Sequence, residues 1–306
     1  MQRRVHAVMW QGDREIFPDD IAYIRSLAQR FSGLSRKELT CTLCEHLDWL
    51  TPAGQPKLTA CSKLLQRLEK AGEVRLPPIQ KQYAHAGSPV RSPILLSART
   101  VPQAPLTCSL SELGPVRLRL ASTAEDEALW NEYVERYHAL GYKKPFGYWV
   151  RYFVESGPHR LGCVLLSGAA KALRARERWI GWTDRQRLKN LPWVLNNSRF
   201  LLFPWVEVAN LASHVLGQLA RRVADEWQAR WGYRPLLLES FVDPLHFSGT
   251  CYRAAGWELL GRTTGEGLVR PGRHYRTSPK LIFVKPLQAD FRRLLCSEQL
   301  QGRREL

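Results

Sequence analysis

"PLLLESFVDPLHFSGTCYRAAGWELLGRT", residues 235–263, decides how the second half of this chain is read. Its first eight residues are nearly all apolar, the pattern of a short strand buried on both faces. Asp243-Pro244 then makes a turn, Thr250 to Ala255 reads as a short helix with Tyr252 near its head, and "WELLGRT" reads as a further strand. Glu239 and Asp243 lie at and just past the carboxyl end of the apolar strand, the end that faces ligands in open α/β sheets. As chemistry, the two carboxylates could serve as a general base or hold Mg2+. Tyr252 could donate a proton to a leaving group in acyl transfer, or attack a phosphodiester. As plain structure, the same residues make a turn, a salt-bridge partner and a core aromatic with a tethered hydroxyl.

Working outward, the elements of the second half run β-α-β-β-β-α-β-α-β-β, which predicts a mixed α/β sheet rather than repeated βαβ units. "PVRLRLAS" is a strand, and "TAEDEALWNEYVERYHALGY" is a helix whose acidic first turn suits the positive end of the helix dipole. "YWVRYFVES" and "RLGCVLLSGAA" pair as a hairpin around Gly157 and Pro158. "WVLNNSRFLLFPW" is a strand interrupted by Asn196 and Asn197, a conflict with strand propensity that marks a bulge or a site. "NLASHVLGQLARRVADEWQARWG" is a long amphipathic helix stopped at Gly232, and "KLIFVKPL" supplies the last strand. His138, near a helix C-terminus, is expected to be protonated and able to contact phosphate, or else to be a satisfied capping histidine.

The first 77 residues read differently. Ile21, Ile24, Leu27 and Phe31 keep helical spacing, and Ser35 with Glu38 forms a capping box that opens a second helix. Leu58, Cys61, Leu64, Leu65 and Leu68 share one face of a third helix stopped at Gly72, and "EVRLPP" reads as a short strand. This is the outline of a winged helix-turn-helix, with Lys57, Lys63, Arg67 and Lys70 on the third helix as on a recognition helix in a major groove. Cys41 and Cys44 form a CxxC with no second pair at metal spacing, so they read as apolar filler. Residues 78–112, rich in Pro, Ser, Ala and Gly, read as a linker. The expected division is therefore 1–77 winged helix, 78–112 linker and 113–306 α/β domain, an α+β protein.

The charge balance favours a polyanionic partner. Lys and Arg number 45 against 28 acidic residues, a formal net charge of +17, which favours nucleic acid through counterion release. Basic residues interleave with aromatic ones around Trp179 and Trp182: Arg174, Arg176, Arg178, Arg185 and Arg187. Arg262, Arg270, Arg273, His274 and Arg276 sit on a Gly-rich hairpin of the kind that clamps phosphates. No apolar run approaches membrane-spanning length, and the N-terminal residues lack a signal-peptide pattern. Seven scattered cysteines fit a reducing compartment, so a cytoplasmic protein with no membrane partner is expected.

Two resemblances add to this reading. The element order and "GTCYRAAGWELLGRT" resemble the fold of the GCN5-related N-acetyltransferases, in which a tyrosine-bearing helix packs beside a splayed central strand pair. That fold implies a coenzyme A pyrophosphate at the start of the long helix. Here the place reads "FPWVEVANLASHVLG", with Asn210, Ala212 and Ser213 where glycines are expected and Glu207 adding negative charge, a departure that argues against acyl-CoA. Asn196, Asn197, Asn210 and Ser213 are the polar residues expected to support the site. The segments "LSRKELTCTLCEHLDW", "LWNEYVERYHALGY", "RWIGW", "LNNSRFLLFPWVEVANLASHVLG" and "GYRPLLLESFVDPLHFSGTCYRAAGWELLGRTTG" together resemble the DruA-type family. That family is named for an anti-phage system and also occurs beside mobile elements. The resemblance implies a protein that works on or around DNA beside other defence or mobile-element proteins, and it supplies no reaction. Three forms stay open: group transfer to DNA, transposase-like nicking and joining with Tyr252 and carboxylate-bound Mg2+, and a non-catalytic DNA-binding adaptor.

Overall fold

In the computed structural model, residues 9–78, 93–265 and 278–303 are described. The chain divides into two compact units, residues 1–92 with 301–306 and residues 93–300.

The first unit opens with a hairpin, β1 (Met9–Gln11) against β2 (Arg14–Ile16), which the sequence reading did not anticipate. Three helices follow: α1 (Pro18–Arg30), α2 (Arg36–His46) and α3 (Leu58–Lys70). Pro18 starts α1 where a missing N–H costs nothing, with Asp19 and Asp20 in its first turn. The capping box of α2 is present as expected: Ser35 accepts from the Glu38 amide, and the Glu38 carboxylate accepts from the Ser35 amide at 2.8 Å. Ile24, Leu39, Leu43, Cys44, Cys61, Leu64 and Leu68 close one core among the three helices. "EVRLPP" is not a strand; Val74 and Leu76 are buried in an irregular segment that pairs with no strand among the described residues. Pro77 and Pro78 supply no N–H for a ladder. The Pro77 carbonyl instead accepts from Arg36 Nε at 2.6 Å.

The second unit takes in part of the segment expected to be a linker. A 3-10 turn, Ala98–Thr100, is tied down by Glu132, which accepts from the hydroxyls of Ser97 at 3.0 Å and of buried Thr100 at 2.6 Å. Then come β3 (Leu106–Cys108), α4 (Leu110–Leu113), β4 (Arg117–Leu120), α5 (Ala124–Tyr137), β5 (Trp149–Ser156) and β6 (His159–Gly168). Two short helices, α6 (Arg174–Ile180) and α7 (Asp184–Asn190), occupy the basic stretches around Trp179 and Trp182. The chain continues through β7 (Val194–Leu202), β8 (Val206–Val208), α8 (Leu211–Trp231), β9 (Leu237–Val242), α9 (Thr250–Ala254), β10 (Glu258–Arg262), β11 (Leu281–Pro286) and α10 (Phe291–Leu295).

Seven strands form one mixed sheet in the order β10-β11-β9-β7-β6-β5-β4, while β3 and β8 pair separately. All pairs in the large sheet are antiparallel except β7 with β9. That parallel pair holds only from Val194 to Asn196 against Leu237 to Glu239; beyond it both strands run on unpaired with each other. This is the splayed central pair that the acetyltransferase resemblance implies. The α5 helix packs on one face through Trp130, Tyr133, Phe153, Cys163, Leu165, Leu201 and Phe203. Neighbouring Tyr152 points the other way, toward Glu226 of α8, as strand alternation requires.

Candidate functional site

The corner that opened the sequence reading lies where β7 and β9 part. Gly249 precedes α9 at φ +74°, and a Cβ there would stand 2.5 Å from the Phe283 ring, so only glycine fits. This close seat lets the Tyr252 ring stack on Phe283 at 5.1 Å with its hydroxyl between the strands. The hydroxyl shares a 2.9 Å hydrogen bond with Ser240 of β9 and accepts from Asn197 Nδ2 of β7 at 3.2 Å. Burial pushes the phenol pKa well above its ordinary value, outweighing both hydrogen bonds. Tyr252 is thus a buried, neutral phenol held at the strand split.

Both carboxylates are engaged by neighbours within the fold. Glu239 is fully buried; its Oε1 accepts from the Ala170 amide and its Oε2 from Arg176 Nη1, both at 2.7 Å. Burial raises its pKa, with Arg176 opposing. With each oxygen in a short hydrogen bond and the side chain fully buried, Glu239 acts as an anchor for Arg176 and the Ala170 backbone. Asp243 accepts from the Leu245 amide at 3.1 Å, Ser278 Oγ at 3.0 Å and Lys280 Nζ at 2.6 Å. Those bonds, the Lys280 one first, hold its carboxyl at about 2. Among the described residues no group of three potential metal ligands occurs.

His138 ends α5, and its Nδ1 accepts from the Leu140 amide at 3.1 Å. Burial, helped by neighbouring Arg199, depresses its pKa to about 4. It is neutral at pH 7, not the phosphate-binding cation expected from its position. Asn196 and Asn197 do mark a bulge: Leu165 faces Arg199 and Leu166 faces Asn197, which leaves Ser198 as the extra residue. The side-chain oxygens of both asparagines are buried without hydrogen-bond partners.

The basic residues separate into two groups. Arg176 is buried against Glu239, and Glu177 lies 3.3 Å from its Nη2, so it cannot touch DNA. Arg187 pairs with Asp184 at 3.2 Å and with Glu177 at 3.7 Å, and Lys57 pairs with Asp13. Trp182 is buried, and Trp179 donates to Glu258 at 2.8 Å under the Arg292 guanidinium, so neither ring is a free stacking platform. By contrast Lys63, Arg67 and Lys70 are exposed on one face of α3, and Arg174, Arg178 and Arg262 are exposed in the second unit. Arg270, Arg273, His274 and Arg276 lie outside the described residues.

A cavity of about 390 Å3 opens at the start of α8, lined by Asn210, Ser213, His214, Gly217 and Arg221 with α4 and α9 nearby. Asn210 and Ser213 were anticipated there; His214 and Arg221, one and three turns into the helix, were not. Asn210 precedes α8 at φ +63° without capping it by its side chain, and Ser213 donates to the Asn210 carbonyl at 3.0 Å. Helix-start amides and Arg221 suit an anion.

Comparison with solved structures finds low-identity likenesses over somewhat more than half of the chain. The aminoglycoside acetyltransferase AAC(6')-Ib, in complex with coenzyme A and kanamycin, is 16% identical with a TM-score of 0.35, covering 56% of this chain and 95% of that one. An N-acetyltransferase from Staphylococcus aureus Mu50 is 10% identical with a TM-score of 0.32, covering 57% and 99%. FeeM, an N-acyl amino acid synthase from uncultured soil microbes, is 13% identical with a TM-score of 0.30, covering 56% and 91%. Comparison with curated proteins finds no match. The family model of the Druantia protein DruA matches residues 100–272, which take in the strand split, the bulge and the α8 cavity, and the chain belongs to that family.

Proposed function

We propose that this protein binds duplex DNA in a phage-defence or mobile-element setting, with the first unit gripping DNA through its third helix and the acetyltransferase-like second unit acting on it. The observation that carries the reading is the outward face of α3. Lys63, Arg67 and Lys70 recur at helical spacing opposite the buried Cys61, Leu64 and Leu68. Glu69, the acid beside them, is taken up by Arg36 at 2.7 Å. Arg67 also donates to the Trp10 carbonyl and Gln11 Oε1, both at 2.9 Å, which steadies the side chain on β1. Such a ridge supplies phosphate contacts along a groove.

Among the catalytic forms, the neutral buried phenol of Tyr252 favours group transfer, in which it protonates a leaving group, over strand cleavage by a tyrosine nucleophile. The paired state of Glu239 and Asp243 also argues against a Mg2+ site there. Family membership supports the defence setting.

The test is duplex-DNA binding by fluorescence anisotropy across a salt series. Lys63→Glu, Arg67→Glu and Lys70→Glu combined should weaken binding by at least tenfold and reduce the slope of log K against log salt by about 0.9 per lost phosphate contact. Unchanged affinity and slope would refute the α3 interface. Incubation of labelled DNA with Mg2+ and the protein should give no covalent adduct; an adduct lost in Tyr252→Phe would reverse the preference between catalytic forms.

A further inference from the structure

The loop between α5 and β5 is fastened at both feet and carries a basic tip with a bare aromatic ring. The first foot is Tyr142, whose amide donates to Glu135 Oε2 at 2.7 Å and whose hydroxyl accepts from Arg151 Nη2 at 3.2 Å. Beside it the Gly141 carbonyl accepts from Arg199 Nε at 2.9 Å. Gly141 lies at φ +56°, and a Cβ there would stand 2.9 Å from the Glu135 carboxylate. Glu135, the acid packed on this foot, is therefore engaged by the loop's own backbone. The second foot is Tyr148, whose ring centre lies 4.7 Å from that of Trp231 at the end of α8. Between the feet, residues 143–147 read Lys-Lys-Pro-Phe-Gly. Pro145 fixes its own φ and biases Lys144 toward extended backbone, and Gly147 turns the chain at φ +76°. Lys143 and Lys144 are exposed. Phe146 is 92% exposed, more than any other large apolar side chain among the described residues.

We propose that this tip binds an unpaired nucleotide of DNA, with Phe146 stacked on the base and Lys143 and Lys144 on the flanking phosphates. The inference rests on the reading that the second unit acts on DNA, and it names the form of DNA taken. The chemistry of the tip selects the occupant. One phenyl ring offers about 150–250 Å2 of surface, well short of the roughly 800 Å2 that a partner protein or a second copy of the chain would have to cover. Stacking a base needs only one ring. Cations beside an aromatic ring hold backbone and base together without reading sequence. An unpaired base presents its face freely, whereas entry between paired bases first costs unstacking. Because both feet are pinned, the ring stays outside the core and little order remains to be imposed when a base arrives.

The experiment uses the full chain and an oligonucleotide carrying a fluorescent adenine analogue, offered as a single strand and fully paired. The wild type should bind the single strand and quench the analogue. Phe146→Ala should weaken single-strand binding about tenfold and remove the quenching, and Phe146→Trp should keep both. Paired-duplex affinity and Tm should not change in either variant, since the ring is exposed in the free protein. Lys143→Gln with Lys144→Gln should reduce the slope of log K against log salt on the single strand by about 0.7 per lost phosphate contact. Unaltered quenching and affinity in Phe146→Ala would overturn the proposal and leave the α3 interface standing. An equal loss on paired duplex would also overturn it, by making Phe146 a wedge between paired bases. A wild type that quenches the single strand without binding duplex would overturn the α3 interface alone, and one that binds neither would overturn both. If Phe146→Ala leaves single-strand binding intact but abolishes self-association in sedimentation, or binding to vesicles of anionic lipid, the tip serves a second copy or a membrane surface and the nucleotide is refuted.

Discussion

Replacing Glu239 by Gln separates an anchor from a catalyst. Both side chains of the Arg176–Glu239 pair are fully buried, with 2.7 Å between nitrogen and oxygen. Removing one partner of a buried pair costs about 3–5 kcal/mol, because the other charge stays desolvated and unpaired. Glutamine keeps an acceptor for the Ala170 amide, and Arg176 retains Glu177 at 3.3 Å, a residue with 23% of its side chain exposed. The loss should therefore fall near the lower end, about 3 kcal/mol. At about 2–4 °C per kcal/mol for a domain of this size, the second unit should melt roughly 6–12 °C lower. The assay is calorimetry of the full chain, with the first unit's transition as internal reference. Arg176→Met combined with Glu239→Met should recover most of the loss, since the apolar pair leaves no charge behind. A Glu239→Gln variant that melts within a degree of wild type would refute the anchor and return Glu239 to the list of candidate bases.

Other substitutions test neighbouring claims. Tyr252→Phe leaves Ser240 and Asn197 short of a buried partner and should cost about 1–2 kcal/mol in urea unfolding; a neutral result would mean that the hydroxyl is not held between the strands. Gly249→Ala should destabilise the second unit by about 2 kcal/mol or more, because the Cβ meets Phe283 at 2.5 Å and the residue sits at positive φ; unchanged stability would contradict the packing of α9. His138, with a folded-state pKa of about 4 against 6.5, binds protons less readily when folded. Its contribution to stability is full above pH 6.5 and falls as pH drops from 6.5 toward 4; His138→Gln should flatten the stability profile in that window and leave it unchanged above. Asp243, held at about 2, acts in the acid range: its contribution is complete above the ordinary carboxylate pKa and is lost as pH falls through about 2. Asp243→Asn should remove that step from an acid-unfolding curve.

What was legible in the sequence was local. The Ser35–Glu38 box, the Gly157-Pro158 hairpin and the apolar face of α3 each depend on neighbours within a few positions, and each formed as read. The strand at 73–78 failed because propensity cannot supply a partner strand. Arg176 and Arg187 were read as surface cations because their neighbours are basic. The acid that buries Arg176 lies 63 positions away, across the sheet. The sign of the His138 shift was missed for a related reason: the helix-end rule favours protonation, but Arg199 arrives from β7 and burial opposes the charge. Asn196 and Asn197 gave a true signal of a bulge.

The fate of the cations also constrains where a polyanion can lie. A net charge of +17 is a property of the whole chain and locates nothing by itself. In the second unit many acids are spent within the fold: Glu239 and Glu177 on Arg176, Asp126 and Glu155 on Arg119, Asp243 on Lys280, and Glu298 on Lys189. A cation already held in a salt bridge is a weaker DNA contact than a free one, since a phosphate must compete with its carboxylate. The α3 ridge escapes this competition because Glu69 already faces Arg36 across the α2–α3 interface. Mutating Arg36 should therefore weaken DNA binding indirectly, by releasing Glu69 toward Arg67 and Lys70. Arg36→Gln should raise Kd for duplex DNA a fewfold, and Arg36→Gln with Glu69→Gln should restore it. If the double variant binds no better than the single one, α3 does not contact the phosphates, and the polyanion surface lies elsewhere on the protein.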